Sequence, residues 1–355
     1  MKIVVLCGGL SSERHVSLVS GSSICKALRS RGHQAVLVDM FLGLENWEGD
    51  LQEVFSAPDG LIGTAAIETS APDLDAVRAG RKDQSPSLFG KDVLAVCAMA
   101  DVVFLGLHGA CGEDGRVQAA FDLLGIPYTG AGYLGSGMAM DKALTKYAME
   151  RCGVPTAPWR DITAYTEADI PQLVEELEVP CAVKIVNGGS SIGVSLPDTK
   201  AELEAALREI LHYGSHVIVE KKIRGRELTV GVLGERYLPA VEIIPQTGGY
   251  FDYVAKYQDG GSLEICPAHI DDALWHEIGE YALRLHKTLG LSVYSRTDFL
   301  VDEAGRPWCL EVNTLPGMTP ASLLPKEAAA VGLPYEELCD EIVRLSLAAR
   351  KEERL

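Results

Sequence analysis

Two neighbouring apolar segments near the carboxyl end of the chain carry charged and amide side chains at alternate positions. Arg296 and Asp298 lie in the first segment, Glu311 and Asn313 lie in the second, and an alanine–glycine pair between them is a turn signal. A hairpin turn centred on that pair places Asp298 opposite Glu311 and Arg296 opposite Asn313. Because side chains alternate across a strand, the sequence predicts that all four share one face of an antiparallel hairpin.

Carboxylates that lie directly opposite each other repel, and burial strengthens the repulsion. One interpretation is that Asp298, Glu311 and Asn313 offer hard oxygen ligands to Mg²⁺, which prefers carboxylates together with phosphate oxygens. The other interpretation is a solvated acidic face on a hairpin whose second face is in the core. That second face would consist of Thr297, Phe299, Leu310 and Val312. The pattern alone leaves both interpretations open.

A strand that contains Lys184 runs into a glycine-serine loop at 187–193. Backbone N–H groups and hydroxyls of such a loop can surround phosphate oxygens while the lysine supplies positive charge, although an ordinary hairpin has the same pattern. The G-x-G-x-x-G run at 130–135 does not follow an apolar strand, and no P-loop motif occurs, so we expect neither a dinucleotide site nor a P-loop site. Together with the acidic hairpin and a helix start at Lys142, this strand and loop favour a binding site for a nucleoside triphosphate.

Composition excludes several classes of partner. The net charge of −18 argues against nucleic acid and against an anionic membrane surface, and it requires a polyphosphate site to gather lysines or metal ions locally. No apolar run approaches the ~20 residues that span a bilayer, and the first strand is too short for a signal peptide, so we expect a cytoplasmic protein. The nine cysteines contain no C-x-x-C pair, which favours reduced thiols over a zinc site.

The elements that must position these residues fall into two or three domains, as a length of 355 residues suggests. A strand at 2–7, a helix at 16–31 and a strand at 35–39 are typical of an open α/β domain. Residues 43–92 have no clear periodicity, and we interpret them as a variable, partly irregular insertion. The other predicted strands are at 102–105, 181–186, 216–220, 293–301 and 307–312, and the other predicted helices are at 117–124, 142–152, 200–211, 271–289, 322–330 and 335–350.

The ordered motifs of the chain resemble those of the D-alanine–D-alanine ligases, a family of the ATP-grasp superfamily. These motifs are GGLSSERHVS at 8–17, LHGACGEDG at 107–115, YTG at 128–130, MDK at 140–142, AKY at 255–257 and EVNTLPGMT at 311–319. The resemblance implies an α/β (α+β) chain with the three-domain ATP-grasp fold. The implied domains are an N-terminal open α/β substrate-binding domain at 1–130, a central domain at 131–222 and a C-terminal catalytic domain at 223–355.

The resemblance also implies an ATP site between the central and C-terminal domains. Lys142 and Lys184 are similar to the lysines that contact phosphate, and Glu227 is similar to the ribose contact. Glu220, Lys221 and Ile223 resemble the edge that faces adenine. Asp298, Glu311 and Asn313 resemble the ligands of two Mg²⁺ ions, for which Mn²⁺ can substitute.

For the two D-alanine substrates, the resemblance implies a second set of residues. Glu13 resembles the anchor of the first ammonium group, with His108 nearby, and Ser190 and Tyr257 resemble its partners in a triad that ties a loop over the site. Arg296 and the Gly317 N–H resemble the groups that stabilise the oxyanion. The clamp on the second substrate is implied at Lys256, Ser322 and Leu323.

Some simpler roles stay open for these residues. Glu13 could cap the helix that follows it, Arg296 could be a structural partner of Glu311, His108 could be incidental and Tyr257 could only pack. The loop at 186–190 also departs from the family, since it reads VNGGS where many members have PSREGS, and the loop at 258–262 is rich in glycine.

The implied reaction forms D-alanyl-D-alanine for peptidoglycan precursors through a D-alanyl phosphate, in a homodimer. Because Tyr257 resembles the dipeptide-forming members, we expect D-alanine as the acceptor. The alternatives are D-lactate or D-serine as the acceptor, a different ATP-grasp ligase or carboxylase, and an inactive nucleotide-binding regulator.

Overall fold

The computed structural model describes residues 1–56, 72–110, 112–189, 193–246 and 261–353. Within these ranges the chain forms three sheets of three, four and six strands, with helices packed on their faces. The mixed α/β class that the sequence predicts is confirmed.

The first sheet is parallel and has the strand order β2-β1-β3. Its elements are β1 (Lys2–Cys7), α1 (Arg14–Ser30), β2 (Gln34–Asp39) and β3 (Val102–Leu105). The strands are apolar almost throughout because a parallel sheet is covered on both faces. Helix α1 lies close against the sheet, since a Cβ on Gly21 would be 2.6 Å from the Cβ of Cys7. This close packing fixes the position of α1, whose first residues, from Arg14, are the last residues of the GGLSSERHVS motif.

The described part of the 43–92 segment folds around a buried arginine. It contains a 3₁₀ helix at Leu51–Ser56 and helix α2 (Leu74–Gly80), and α3 (Val93–Met99) follows it without having been predicted. Arg81 is 2% exposed, donates hydrogen bonds to the carbonyls of Ser85 and Ser87, and lies 4.5 Å over the ring of Phe41. The described part of the insertion is therefore an ordered flank of the first sheet.

Three helices connect the first sheet to the second: α4 (Arg116–Leu124), α5 (Tyr133–Met140) and α6 (Lys142–Cys152). The G-x-G-x-x-G run leads into α5 from a segment in which Tyr128 makes only an isolated bridge to Val103. Asp141 caps α6 by accepting a hydrogen bond from the Leu144 N–H, which places Lys142 at the first position of the helix.

The second sheet is antiparallel, with the order β4-β7-β5-β6. Its elements are β4 (Trp159–Ile162), α7 (Ile170–Glu176), β5 (Cys181–Ile185), β6 (Val194–Ser195), α8 (Lys200–Ile210) and β7 (Val217–Lys221), with a 3₁₀ turn at Glu167–Asp169 before α7. A capping box between Thr199 and Glu202 starts α8. Apolar side chains of both helices pack on one face of the sheet, whereas Lys184 and Glu220 line the cavity described below.

The third sheet has the order β11-β10-β8-β12-β13, with β9 paired to β8. Its strands are β8 (Gly225–Leu233), β9 (Arg236–Tyr237), β10 (Val241–Pro245), β11 (Ser262–Ile265), β12 (Tyr294–Asp302) and β13 (Pro307–Asn313). Its helices are α9 (Asp272–Thr288), α10 (Leu323–Ala330) and α11 (Tyr335–Glu353). Helix α9 packs on the sheet together with α5 and α6.

Helix α11 returns to the first sheet. Leu338, Ile342 and Val343 are fully buried in the same apolar cluster as β1 and β2. This packing brings the turn that precedes α10 towards the loops at the carboxyl ends of β1 and β3.

Among the described residues, no helix is long and apolar enough to cross a bilayer. The cysteines of the described ranges are free thiols, and most of them are buried.

Candidate active site

A cavity of about 700 Å³ lies between the second and third sheets. Its walls come from β5, β7, β8 and β10, and its floor includes the acidic hairpin. The predicted residues that line it are Lys142, Lys184, Glu220, Lys221, Ile223, Glu227, Asp298 and Glu311. The structure therefore brings all six predicted nucleotide contacts and two of the three predicted metal ligands to one cavity.

The predicted pairing of the acidic hairpin is confirmed. Asp298 pairs with Glu311 and Arg296 pairs with Asn313 in the β12–β13 ladder. Beyond Asp298 the register shifts, so that Phe299 pairs with Cys309 and Leu310 becomes the extra residue of a β-bulge. The prediction that Leu310 faces the core is therefore wrong, because the bulge turns it into the cavity and buries Cys309 instead.

Asp298 is the most heavily paired carboxylate of the hairpin. It accepts hydrogen bonds from Arg296 Nε at 2.9 Å and from an Arg296 terminal nitrogen at 2.8 Å, a two-point contact. It also accepts from the Thr229 hydroxyl at 2.6 Å and the Asn313 amide at 3.1 Å. Arg296 thus pairs with Asp298 through two hydrogen bonds, and the Glu311 carboxylate also acts on its charge.

Charge explains why Arg296 stays ionised although it is buried. Burial alone lowers the pKa of its guanidinium, but the neighbouring Asp298 and Glu311 carboxylates raise the pKa above its ordinary value. Glu311 is more open, with its side chain 32% exposed, and its Oε2 lies 3.6 Å from Lys142 Nζ.

The donor set fits a hard divalent cation that is shared with a ligand. Asp298, Glu311 and Asn313 supply oxygens on one face of the hairpin. No group of three His, Cys, Asp or Glu side chains in the described ranges could hold a metal by itself. Two carboxylates and one amide oxygen leave positions for phosphate and water, which is how Mg²⁺ is usually bound beside a nucleotide.

A buried cluster of two lysines and one glutamate forms one end of the cavity. The carboxylate of Glu220 is 3% exposed, and its oxygens lie 3.1 Å from Lys184 Nζ and 3.0 Å from Lys146 Nζ. Burial raises the pKa of Glu220, but the two lysines outweigh it and hold the pKa below its ordinary range. The sequence analysis missed Lys146, whose only signal is its spacing of four residues from Lys142 on the predicted helix.

At the other end of the site, Glu13 lies at the start of α1. It is the N-cap residue, yet its side chain makes no capping hydrogen bond, and a Cβ on Gly109 would lie 2.6 Å from Glu13 Oε2. The same oxygen lies near the glycine loop, 3.6 Å from the position of a Cβ on Gly189. The capping role is therefore not observed. The carboxylate instead points to the place where the loop after β1, the loop after β3 and the glycine loop after β5 meet.

His108 is buried and not incidental. Its Nδ1 donates to the Leu315 carbonyl at 2.9 Å, and its Nε2 accepts from the Ser20 hydroxyl at 3.0 Å. Burial lowers the pKa of His108, and the Glu13 carboxylate only partly opposes this. A neutral imidazole with its proton on Nδ1 satisfies both contacts.

Glu113 is a second carboxylate at this junction, and the sequence analysis did not select it. It accepts hydrogen bonds from the backbone N–H groups of Gly109 at 2.7 Å and Leu315 at 3.2 Å. Burial, followed by the nearby Glu13 charge, raises the pKa of Glu113 to about 8. Its position inside a glycine-rich motif was visible, but its backbone partner 202 residues away was not.

Three further predicted residues, Gly317, Ser322 and Leu323, lie in the turn before α10 and at its first position. Ser322 Oγ accepts from the Thr319 N–H at 3.1 Å, and a Cβ on Gly317 would lie 3.0 Å from that Oγ. Gly317 and Ser322 are therefore neighbours at the start of α10. The side chain of Leu323 packs with Val241 and Ile243, so only its backbone is available to a ligand.

A second unpredicted carboxylate, Glu327, lies one turn further along α10 and is fully buried. Its Oε2 accepts from the Gly231 N–H at 2.7 Å, in a space that a Cβ on Gly231 would fill. Burial raises the pKa of Glu327 well above its usual range, and the Arg296 cation opposes this. Ser190, Lys256 and Tyr257 lie outside the described residues, so the predicted triad and part of the predicted clamp stay predictions.

Comparison with known proteins identifies the family. A model described as "D-ala D-ala ligase N-terminus" matches residues 2–131, and one described as "D-ala D-ala ligase C-terminus" matches residues 148–344. A D-alanine–D-alanine ligase of Pediococcus pentosaceus is 42% identical over 97% of both chains, and one of Gluconobacter oxydans is 39% identical over 98% of this chain and 100% of that one.

Solved structures give the same result. The D-alanine–D-alanine ligase of Bacillus anthracis complexed with ATP superposes with a TM-score of 0.74 at 30% identity over 99% of both chains. The ligase of Coxiella burnetii superposes with a TM-score of 0.75 at 26% identity, over 100% of this chain and 96% of that one. The two facing sheets with a nucleotide-sized cavity are the ATP-grasp fold. The chain belongs to the D-alanine–D-alanine ligase family.

Proposed function

We propose that this chain uses ATP to join two D-alanine molecules into D-alanyl-D-alanine, through a D-alanyl phosphate, for peptidoglycan precursors. The observation that carries the proposal is the position of Arg296, whose charge interacts with the acidic hairpin on one side and with His108 on the other. Lysines and an acidic hairpin line a 700 Å³ cavity at one end, and Arg296 connects them to the junction of Glu13, His108 and the turn before α10 at the other.

In the first step, a carboxylate oxygen of one D-alanine bonds to the γ-phosphorus while the bond to the β–γ bridging oxygen breaks, and ADP leaves. Both reactants are anionic, so the step depends on neutralising charge and on alignment. Lys142 and Lys184, which line the cavity, supply positive charge to the phosphates. Glu13 binds the ammonium group of this D-alanine.

In the second step, the neutral amine of the other D-alanine attacks the acyl carbon. Inorganic phosphate leaves with the electron pair of the C–O bond and takes up the proton that the amine nitrogen loses. Negative charge develops on the carbonyl oxygen. Arg296, held in place by Asp298, and the Gly317 N–H stabilise that oxygen. The backbone at Leu323 and the Ser322 hydroxyl bind the carboxylate of the second D-alanine, together with Lys256. Ser190 and Tyr257 complete the triad with Glu13.

We propose that Asp298, Glu311 and Asn313 hold two Mg²⁺ ions, or Mn²⁺ in their place. Bound there, the ions would neutralise the charge that develops on the transferred phosphoryl group. Glu220, Lys221 and Ile223 would face the adenine and Glu227 the ribose, since all four line the same cavity as Lys142 and Lys184.

The remaining proposals concern organisation. We retain the division into domains at 1–130, 131–222 and 223–355. A homodimer is supported by large apolar side chains that remain exposed on the neighbouring helices α4 and α5, namely Leu123, Leu124, Tyr133 and Leu134. A cytoplasmic location is proposed because the reaction consumes ATP.

The test is phosphate release by the purified chain with Mg²⁺ and ATP. We expect release with D-alanine alone, with D-alanyl-D-alanine as the product. Mixtures of D-alanine with D-lactate or D-serine, measured across pH, should yield mainly the D-alanine dipeptide at neutral pH and above. Absence of phosphate release with D-alanine, or release only when D-lactate or D-serine is added, would contradict the proposal.

A further inference from the structure

Lys146 is the most deeply buried cation of the nucleotide end of the site, and the proposed chemistry gives it no role. It lies on α6 one turn after Lys142, and it is 1% exposed. Its ammonium group lies 3.0 Å from Glu220 Oε1 and donates a hydrogen bond to the Thr156 hydroxyl, which in turn donates to the Cys309 carbonyl. Burying an ammonium group is unfavourable unless a charge compensates it, so this position requires Glu220.

Glu220 has a second lysine partner, and the two lysines differ in what they can reach. Lys184 Nζ lies 3.1 Å from Glu220 Oε2 and also lines the cavity, whereas Lys146 does not line it. Of the two lysines, only Lys184 can therefore turn its ammonium group from the Glu220 carboxylate to a phosphate in the cavity while its backbone stays in β5.

That exchange has a consequence for Glu220. If Lys184 were its only partner, moving Lys184 to a phosphate would leave a buried carboxylate without compensation, which is strongly unfavourable. The carboxylate would then compete with the phosphate for Lys184. Because Lys146 stays on Glu220, the glutamate remains paired when Lys184 leaves.

We propose that Lys146 is a positioning residue that frees Lys184 to bind the phosphates of the nucleotide. It acts through Glu220 and contacts no substrate. This inference rests on the proposed function for the assignment of the cavity to ATP. It predicts that the contribution of Lys146 is specific to the phosphates and is absent for the nucleoside.

The experiment compares the binding of ADP and of adenosine to Lys146→Met by titration calorimetry at fixed Mg²⁺, with KM for ATP as a second readout. We expect ADP affinity to fall on the order of tenfold or more, and adenosine affinity to change less than about threefold. The KM for ATP should rise in parallel, while the KM values for D-alanine should stay close to wild type.

Two further variants separate this role from a contribution to folding. Lys146→Met combined with Glu220→Gln removes both buried charges and keeps a side-chain amide oxygen for the proposed adenine contact. It should therefore fold, bind adenosine like Lys146→Met and recover much of the lost ADP affinity. Arg151→Met removes an exposed cation from the same helix and should bind ADP like wild type. Melting temperatures of all variants show whether a change in binding follows a change in stability.

The inference is overturned if Lys146→Met binds ADP like wild type, if it loses ADP and adenosine equally, or if Glu220→Gln gives no recovery in the double variant. Each of these results can occur while the wild-type enzyme forms D-alanyl-D-alanine, so they would leave the proposed function intact. Failure of the wild type to release phosphate with D-alanine would instead contradict the proposed function.

Discussion

The two ends of the site are built differently. At the nucleotide end, charged side chains lie on strands and on α6, and they pair with one another, as Glu220 does with its two lysines. At the amino-acid end, the polar groups lie on loops, and they hold backbone groups of another loop, as His108 and Glu113 do with Leu315. Strands hold charged side chains in fixed positions around a polyphosphate. The loops instead connect parts of the chain that are far apart in sequence.

This difference predicts different consequences of mutation. Changes at the nucleotide end should alter charge and therefore ATP chemistry or affinity. Changes at the amino-acid end should alter the alignment of the second step or the dependence on pH. Five substitutions, grouped in four predictions, test the contrast in order of the expected size of effect.

The largest effect is expected for Asp298→Asn and Glu311→Gln. Each removes a carboxylate from the proposed metal site, where a cation contributes several kcal/mol to the transition state. Phosphate release should fall by about 10³-fold or more. Substantial residual turnover in either variant, with a normal melting temperature, would refute the role in metal binding.

Arg296→Lys should follow. The lysine keeps the positive charge but cannot reproduce the two-point contact with Asp298, so the donor to the developing oxyanion is misplaced. We expect kcat for dipeptide formation to fall by roughly 10²- to 10³-fold. The KM for ATP should remain nearly unchanged. A variant with wild-type kcat would show that Arg296 only balances the charge of Asp298.

Glu113→Gln tests the amino-acid end through pH. The pKa of Glu113 is raised to about 8 in the folded protein, so the neutral form favours folding, and stability is lost as pH rises from about 4.5 through 8. The glutamine variant lacks this loss. The difference between the melting temperature of the variant and that of the wild type should therefore increase from about pH 5 to about pH 9. A difference that is constant across this range would contradict the raised pKa.

The smallest effect is expected for Ser322→Ala. Loss of one neutral hydrogen bond to a substrate is worth about 0.5–1.5 kcal/mol, which corresponds to roughly two- to tenfold in binding. The KM for the second D-alanine should rise by that factor, with no change in the KM for ATP. A rise in the KM for ATP would show that the two ends are not separable.

Part of this site could be predicted from the sequence because the relevant rules are local. Strand alternation and one turn signal predicted the pairs of Asp298 with Glu311 and of Arg296 with Asn313. The turn itself is centred on Ala304, half a residue earlier than predicted, and the bulge at Leu310 restores the predicted register beyond it. The same rules could not reveal the bulge that moves Leu310 into the cavity, because an extra residue in one strand leaves no mark on the alternation near the turn.

The unpredicted residues have a common property. Lys146, Glu113 and Glu327 are polar residues whose partners lie far away in the chain, at Glu220, Leu315 and Gly231. Only tertiary packing shows that these side chains are buried, so neither periodicity nor motif spacing could select them. The return of α11 to the first sheet was hidden for the same reason, since an amphipathic helix does not specify which sheet it covers.

The central claim is that the acidic hairpin and the two cavity lysines hold a metal-bound nucleotide between the second and third sheets. The most direct test is a crystal structure with ADP and Mn²⁺, in which anomalous scattering locates the metal. We predict manganese in direct contact with Asp298, Glu311 and Asn313, and diphosphate oxygens in contact with Lys142 and Lys184. Manganese bound elsewhere, or a nucleotide outside this cavity, would contradict the account.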